Sequence, residues 1–217
     1  MGKCKYAEIL ILGAFLVFLT SCTADNQSAS SDVSIPIGFE SRCSDPQGDI
    51  EIVGENSWDF VNNIADIASA TIASGKFDSN SEQDILLIGI EMFVKTNPIA
   101  ELSLTGNSEA GSQTVAVNIF PPSPIDEFFY YTVSFKQTIN SDAPKVEVTK
   151  VSLDASPTVY SSTGTFKNGL FSVGVPLNVF SKIGLGSKLV VLSFASLMVD
   201  TSLASAGDSC EDLQIGP

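Results

Sequence analysis

Alternation of apolar and polar residues dominates the chain from residue 84 onward. Leu86, Ile88, Ile90, Met92 and Val94 share one phase, Ile85, Leu87 and Phe93 occupy the other, and Asn97-Pro98 ends the run. Val115, Val117 and Ile119 form a second alternating stretch. Phe129, Tyr131, Val133, Phe135 and Ile139 then interleave with Tyr130, Thr132, Ser134, Lys136 and Thr138, the pattern of a strand buried on one face. Over residues 145–153 the phase shifts between Val148 and Val151, which predicts a bulge near Lys150. Asn168-Gly169 separates two short apolar arms and predicts a tight hairpin, because both central positions of the favoured turn need positive φ. Residues 183–186 (Ile-Gly-Leu-Gly) predict a turn, and residues 188–199 are apolar in both phases, as a central strand would be.

Upstream the pattern changes. Val33, Ile35, Ile37 and Phe39 alternate and predict a first strand, with Pro36 confining it to an edge. Asp45-Pro46-Gln47-Gly48 has turn chemistry, and residues 50–53 read as a short strand. Residues 56–75 predict the one helix. Asn56 or Ser57 offers an N-cap, Asp59 sits in the first turn and Gly75 is a suitable C-cap. Phe60, Ile64, Ile67 and Thr71 recur at helical spacing beside Val61, Ala65, Ala68 and Ile72, which makes one apolar stripe. Trp58 would anchor its start.

One helix and about eight to ten strands joined by short turns predict a mainly β fold with one packed α-helix, either an antiparallel β-sandwich or a partly closed barrel. Residues 35–217 are expected to form a single β-rich domain, a length ordinary for all-β folds.

The N-terminus departs from this regime. Lys3 and Lys5 precede an apolar run at residues 9–19, shorter than the roughly 20 residues a spanning helix needs. Such a run fits the apolar region of a secretory signal. It ends in Leu19-Thr20-Ser21-Cys22, which resembles the lipobox of bacterial lipoproteins. That resemblance covers only residues 1–22 and implies cleavage before Cys22, a diacylglycerol on its thiol, and anchoring by acyl chains. Thr23 stands where an Asp would favour inner-membrane retention in that class, so the resemblance points to the outer membrane of the cell envelope. Cleavage after Ala24, releasing a secreted protein, and an uncleaved anchor are the competing expectations. Residues 1–21 would then be the signal peptide, and residues 22–34 a lipidated cysteine with a tether too polar to fold.

With Cys4 removed in the signal and Cys22 taken by the lipid, Cys43 and Cys210 remain as an even pair, one near each end of the domain. An exported compartment permits their disulfide, which would close a loop of well over 100 residues, for roughly 4–5 kcal/mol in chain-entropy terms.

Charge narrows the partners. The chain carries 11 Lys+Arg against 25 Asp+Glu, a formal net charge of −14. The excess is concentrated in residues 25–109, with 15 acidic and 3 basic residues. Phosphate backbones require a cationic footprint, so nucleic acid is excluded as a partner, and no polybasic contact with lipid headgroups is expected. An acidic half can attract cations or keep the chain soluble.

Catalytic motifs are scarce. There is no histidine, which removes the commonest general base and the usual triads, and Arg42 is the sole arginine. Nucleotide-loop and nucleophile-elbow motifs are absent. Residues 197–202 (Leu-Met-Val-Asp-Thr-Ser) faintly resemble the aspartate loop of aspartic proteases, but one copy supplies one carboxylate of a pair and the glycine is missing. Asp78, Asn80, Glu82 and Asp84 space oxygens like the start of a calcium loop. Gln83 occupies the turn-glycine position and Gly89 the closing-carboxylate position, so a solvated loop competes and no cofactor is otherwise expected. Phe128 and Tyr130 fall in the phase opposite Phe129 and Tyr131. They form either second-sheet core or an exposed ligand-binding patch.

These features predict an envelope protein held to the membrane by its N-terminal lipid, non-enzymatic, acting as a binding or structural module toward a protein, glycan or lipid partner. A carrier of a hydrophobic ligand in the periplasm and a carboxylate-based hydrolase are the alternatives. An apolar internal cavity would mark the carrier, and paired carboxylates in a cleft the hydrolase.

Overall fold

The computed structural model describes residues 35–36, 38–52, 64–76, 83–95, 110–122, 128–138, 143–199 and 202–216. Twelve strands follow one another: β1 (Glu40–Ser44), β2 (Glu51–Ile52), β3 (Ile67–Lys76), β4 (Asp84–Met92), β5 (Ala110–Phe120), β6 (Phe129–Thr138), β7 (Lys145–Ser152), β8 (Thr158–Thr163), β9 (Thr165–Lys167), β10 (Leu170–Pro176), β11 (Lys188–Val199) and β12 (Ser202–Gln214). A 3-10 turn spans Leu177–Val179. The smaller sheet runs β1-β3-β4-β10-β9 and the larger β2-β12-β11-β5-β6-β7-β8. Every pairing is antiparallel. The fold is therefore mainly β, built on two sheets, and it is not a closed barrel.

The core lies between the sheets. Ala70, Ile72, Leu86, Ile88, Ile90, Phe171 and Val175 come from the smaller sheet, and Val115, Val117, Ile119, Phe129, Tyr131, Val133, Phe135, Val146, Val148, Leu189 and Val191 from the larger. The inward phase of β6 is the one the alternation predicts. Its aromatic rings pack edge to face, with Tyr131 centred 5.8 Å from Phe129 and 5.2 Å from Phe180, which follows the 3-10 turn after β10. The Tyr131 hydroxyl stays satisfied by the hydroxyl of Ser181 at 2.8 Å and its backbone N–H at 3.0 Å. Strand β11 is internal to its sheet, as its apolar run predicts.

The predicted helix is corrected. Residues 54–63, with Trp58, lie outside the described residues, and only residues 64–65 have helical backbone. From Ile67 to Lys76 the chain is strand β3, and Gly75 sits within it rather than capping a helix. The register against β4 slips between Ile67 and Ser69, so the buried residues fall at Ile67, Ala70 and Ile72. A bulge thus converts a period of two into an uneven spacing that imitates a helix. The first predicted strand is displaced too. Gly38 is in a turn and pairing begins at Glu40, while Val33 and Ile37 lie outside the described residues. The bulge expected near Lys150 lies on its partner strand: β6 and β7 pair without interruption, whereas β8 inserts Val159 opposite Val148 and Thr149.

Two devices join the sheets along their edges. On one side β8 runs straight into β9 through Gly164, so one stretch of chain leaves the larger sheet and enters the smaller. A Cβ at Gly164 would stand 2.8 Å from Val146 Cγ2 and 3.2 Å from the Ser172 carbonyl, which is why the corner is glycine. On the opposite side Cys43 of β1 is bonded to Cys210 of β12, across a sequence separation of 167. The Asn168-Gly169 turn that closes β9 and β10 has φ of 53° and 82°, the positive pair the sequence demands.

Candidate functional site

Three surface features carry chemistry. The first is the solvent face of the larger sheet. Phe128 is 63% exposed, and Tyr130 lies on the same outward phase of β6. Tyr130 stacks on Phe120 of β5 at 5.1 Å and takes the edge of Phe128 at 6.2 Å. Phe120 faces Lys188 across the sheet, and the next outward positions of β11 are apolar. Val190 is half-buried opposite Asn118, Leu192 is 38% exposed between Ala116 and Ser209, and Phe194 is 43% exposed between Thr114 and Gly207. Gly207 leaves room for the Phe194 ring to lie across β12, its Cδ2 being 4.0 Å from where a Cβ would stand. The outward phase of the supposedly two-sided β11 is therefore open to solvent. Phe128 and Tyr130 were visible in the sequence, but Leu192 and Phe194 read there as second-face core.

The second feature is a groove of about 720 Å3 on the smaller sheet. Its floor is three cross-strand rows: Ser69, Glu91 and Leu170; Thr71, Gly89 and Ser172; Ala73, Leu87 and Gly174. Tyr160, Ser162 and Thr163 of β8 add to the lining. Glu91 is its one carboxylate. It receives hydrogen bonds from Lys95 Nζ at 2.6 Å and Ser69 Oγ at 3.2 Å, and the Lys95 ammonium holds its carboxyl below the usual range.

The third feature is a cluster of aspartates at the disulfide edge. Asp45 follows β1, Asp49 closes the next turn, Asp66 precedes β3 and Asp208 lies on β12. Ligand oxygens of Asp45, Asp49 and Asp208 all lie within 4.8 Å of one another. Asp66 Oδ2 accepts from the backbone N–H of Gly48 at 3.1 Å, and Asp208 Oδ2 accepts from the N–H of Ile67 at 2.7 Å. Asp208 Oδ1 accepts from the N–H of Ser209. Burial pushes the Asp45 carboxyl up to about 6, with Asp208 and Asp49 adding to it. Burial likewise raises Asp66, against the opposing Gly48 bond, and Asp208 and Asp49 raise it further.

The calcium-like series expected at residues 78–84 is not brought together among the described residues. Asp84 opens β4 opposite Lys76, and Asp78, Asn80 and Glu82 lie outside them. Cys22 and Asp200 also lie outside. Sequence spacing does not reveal the aspartate cluster, because its members are scattered from residue 45 to residue 208. One signal was available. If Cys43 pairs with Cys210, the residue two after the first and the residue two before the second, Asp45 and Asp208, come to the same edge.

No helix among the described residues is long and apolar enough to cross a membrane. No known family model matches this chain, and no significant similarity to a curated protein or to a solved structure is found.

Proposed function

We propose that this chain is an exported envelope lipoprotein, anchored through Cys22 to the outer membrane, that works by binding a protein partner and performs no chemistry of its own. The observation that carries the reading is the set of outward apolar side chains on the larger sheet, the stacked Phe128, Tyr130 and Phe120 together with Val190, Leu192 and Phe194 of the adjoining β11. Water-exposed aromatics concentrated on one flat face, rimmed by Lys136, Glu147 and Ser209, are what a protein interface presents. The tether of residues 22–34 would let the sandwich turn this face toward a neighbour.

The carrier alternative draws less support. The groove of about 720 Å3 is an open one on the smaller sheet, where hydroxyls of Ser69, Thr71, Ser162, Thr163 and Ser172 line it beside Leu87, Leu170 and Val173. Within the groove a hydrolase would need a second carboxylate facing Glu91, which is engaged by Lys95, and the converging Asp45, Asp49 and Asp208 are not part of the groove's lining.

The test is photocrosslinking in the native envelope. A benzophenone amino acid at Phe194 is expected to give one discrete protein adduct, and the same probe at Ser161, an exposed position on β8, none. Lipid adducts alone at residue 194, or no difference between the two positions, would remove the protein-binding reading. The intact mass of the mature protein tests the anchor separately: a diacylglycerol and acyl increment on a chain beginning at Cys22 is expected, and an unmodified chain beginning at Asp25 would refute it.

A further inference from the structure

We propose that Asp45, Asp49, Asp66 and Asp208 form a calcium site that ties the two sheets together at the disulfide edge. The first observation is convergence. Oxygens of Asp45, Asp49 and Asp208 lie within 4.8 Å of one another. Ligands on opposite sides of one calcium ion are separated by roughly 4.6–5.2 Å, twice the metal–oxygen distance, so one ion can reach all three.

The second observation is independent of the clustering. Asp66 is only 2% exposed, and its Oδ1 has no hydrogen-bond donor. Its other oxygen is held by Gly48, in the turn between Asp45 and Asp49, and its charge acts on Asp45, so the carboxylate lies beside the trio without being one of the three mutually close groups. The buried Oδ2 of Asp45 is likewise without a donor. A buried carboxylate oxygen with neither a donor nor a counter-charge is costly, and native proteins rarely leave one so.

No cation among the described residues is paired with it. Every lysine and arginine beyond residue 34 is among them. The ion pairs seen among the described residues are Arg42 with Glu40, Lys95 with Glu91 and Lys145 with Glu147, none of them with this cluster.

The donor set selects the metal. It is all carboxylate oxygen: the chain has no histidine, and the nearby Cys43 and Cys210 are consumed in the disulfide. That excludes the nitrogen and sulfur ligation zinc and copper prefer. Several carboxylates converging from separate segments, with no fixed octahedral frame, suit calcium, which takes 6–8 oxygens in a flexible shell, better than magnesium, which keeps its waters.

The ligands' origins define the effect. Asp45 extends from β1 and Asp66 leads into β3, both of the smaller sheet, whereas Asp208 belongs to β12 of the larger and already receives the Ile67 N–H. One ion would therefore hold three segments and both sheets, beside the covalent link. This inference does not depend on the protein-binding reading.

The experiment is calcium titration of the purified mature protein by calorimetry, with melting curves in EDTA, in 1 mM MgCl2 and in 1 mM CaCl2. We expect one calcium per chain and a melting temperature higher in calcium by about 5 °C or more, since a ligand that binds only the folded state stabilises it in proportion to the logarithm of its concentration. Magnesium should give less than half of that rise. Asp49→Asn, at an exposed position, should fold normally and weaken calcium binding about tenfold or more, as calcium affinity follows ligand charge. Asp66→Asn should lose the calcium-dependent rise. Absence of binding heat with equal melting temperatures in EDTA and calcium would overturn the site. So would a rise matched by magnesium, or one that Asp49→Asn leaves unchanged.

Discussion

Replacing Cys43 and Cys210 together by alanine isolates what the covalent link contributes. Alanine is the appropriate substitute because Cys210 is buried and serine would leave a hydroxyl there. The link spans a sequence separation of 167. In the chain-entropy account, a closed loop of that size removes about 5 kcal/mol of freedom from the unfolded chain. Native domains hold about 5–15 kcal/mol in all, so the double variant should lose a third or more of its stability. The assay is equilibrium urea unfolding of both proteins in EDTA, which removes any contribution from metal. We expect a loss of about 3–5 kcal/mol and a steeper denaturant dependence, because the uncrosslinked chain exposes more surface when unfolded. Hydrogen exchange should locate the weakness. The opposite edge keeps its own connection through Gly164, so amides of β1 should lose protection first and those of β8, β9 and β10 last. A loss below about 1 kcal/mol, or a uniform fall in protection, would show that the fold at this edge does not depend on the cross-link.

Other substitutions test the packing and the pH response. Gly164→Ala should cost about 1–3 kcal/mol in a thermal melt, since the new methyl meets Val146 Cγ2 at 2.8 Å and Phe135 Cδ1 at 3.2 Å; a neutral result would mean the corner is open. Phe171→Ala removes a fully buried ring centred 4.5 Å from Phe166 and 5.8 Å from Phe135, and should cost about 3–5 kcal/mol by chemical denaturation. The carboxyl of Glu91 is held below its ordinary range by Lys95. Its contribution is therefore complete above that range and is lost as pH falls through the lowered value. Both side chains are about half exposed, so solvent screening keeps the effect under about 1 kcal/mol, and Lys95→Met should flatten this acid limb of the stability profile.

Legibility in the sequence followed the length of undisturbed alternation. Strand β6 has large inward residues at every second position, and its phase was readable from Phe129 to Phe135. The Asn168-Gly169 turn was readable because its backbone requirement admits few other residue pairs. Strand β3 was not, for two physical reasons. Its side chains are mostly small (Ala68, Ser69, Ala70, Ala73, Ser74), so no bulky residue marks the period, and its bulge spaces the buried positions unevenly. The apolar run of β11 predicted a central strand, but composition does not say what lies above a sheet, so the exposure of Leu192 and Phe194 was not readable. The aspartate cluster depends on β1 and β12 meeting at one edge, a tertiary arrangement that local pattern does not encode.

The strand ends of this sandwich also govern how it meets copies of itself. Three of the edge strands among the described residues are short: β1 spans Glu40–Ser44, β8 Thr158–Thr163 and β9 Thr165–Lys167, whereas on the fourth edge β2 covers only Ala206 and Gly207 of β12. Short edges present few unpaired backbone groups and are poor templates for another chain. At β1, β8 and β9 such edges oppose strand-by-strand pairing between copies. There association is directed to the broad faces, where side chains rather than backbone choose the neighbour.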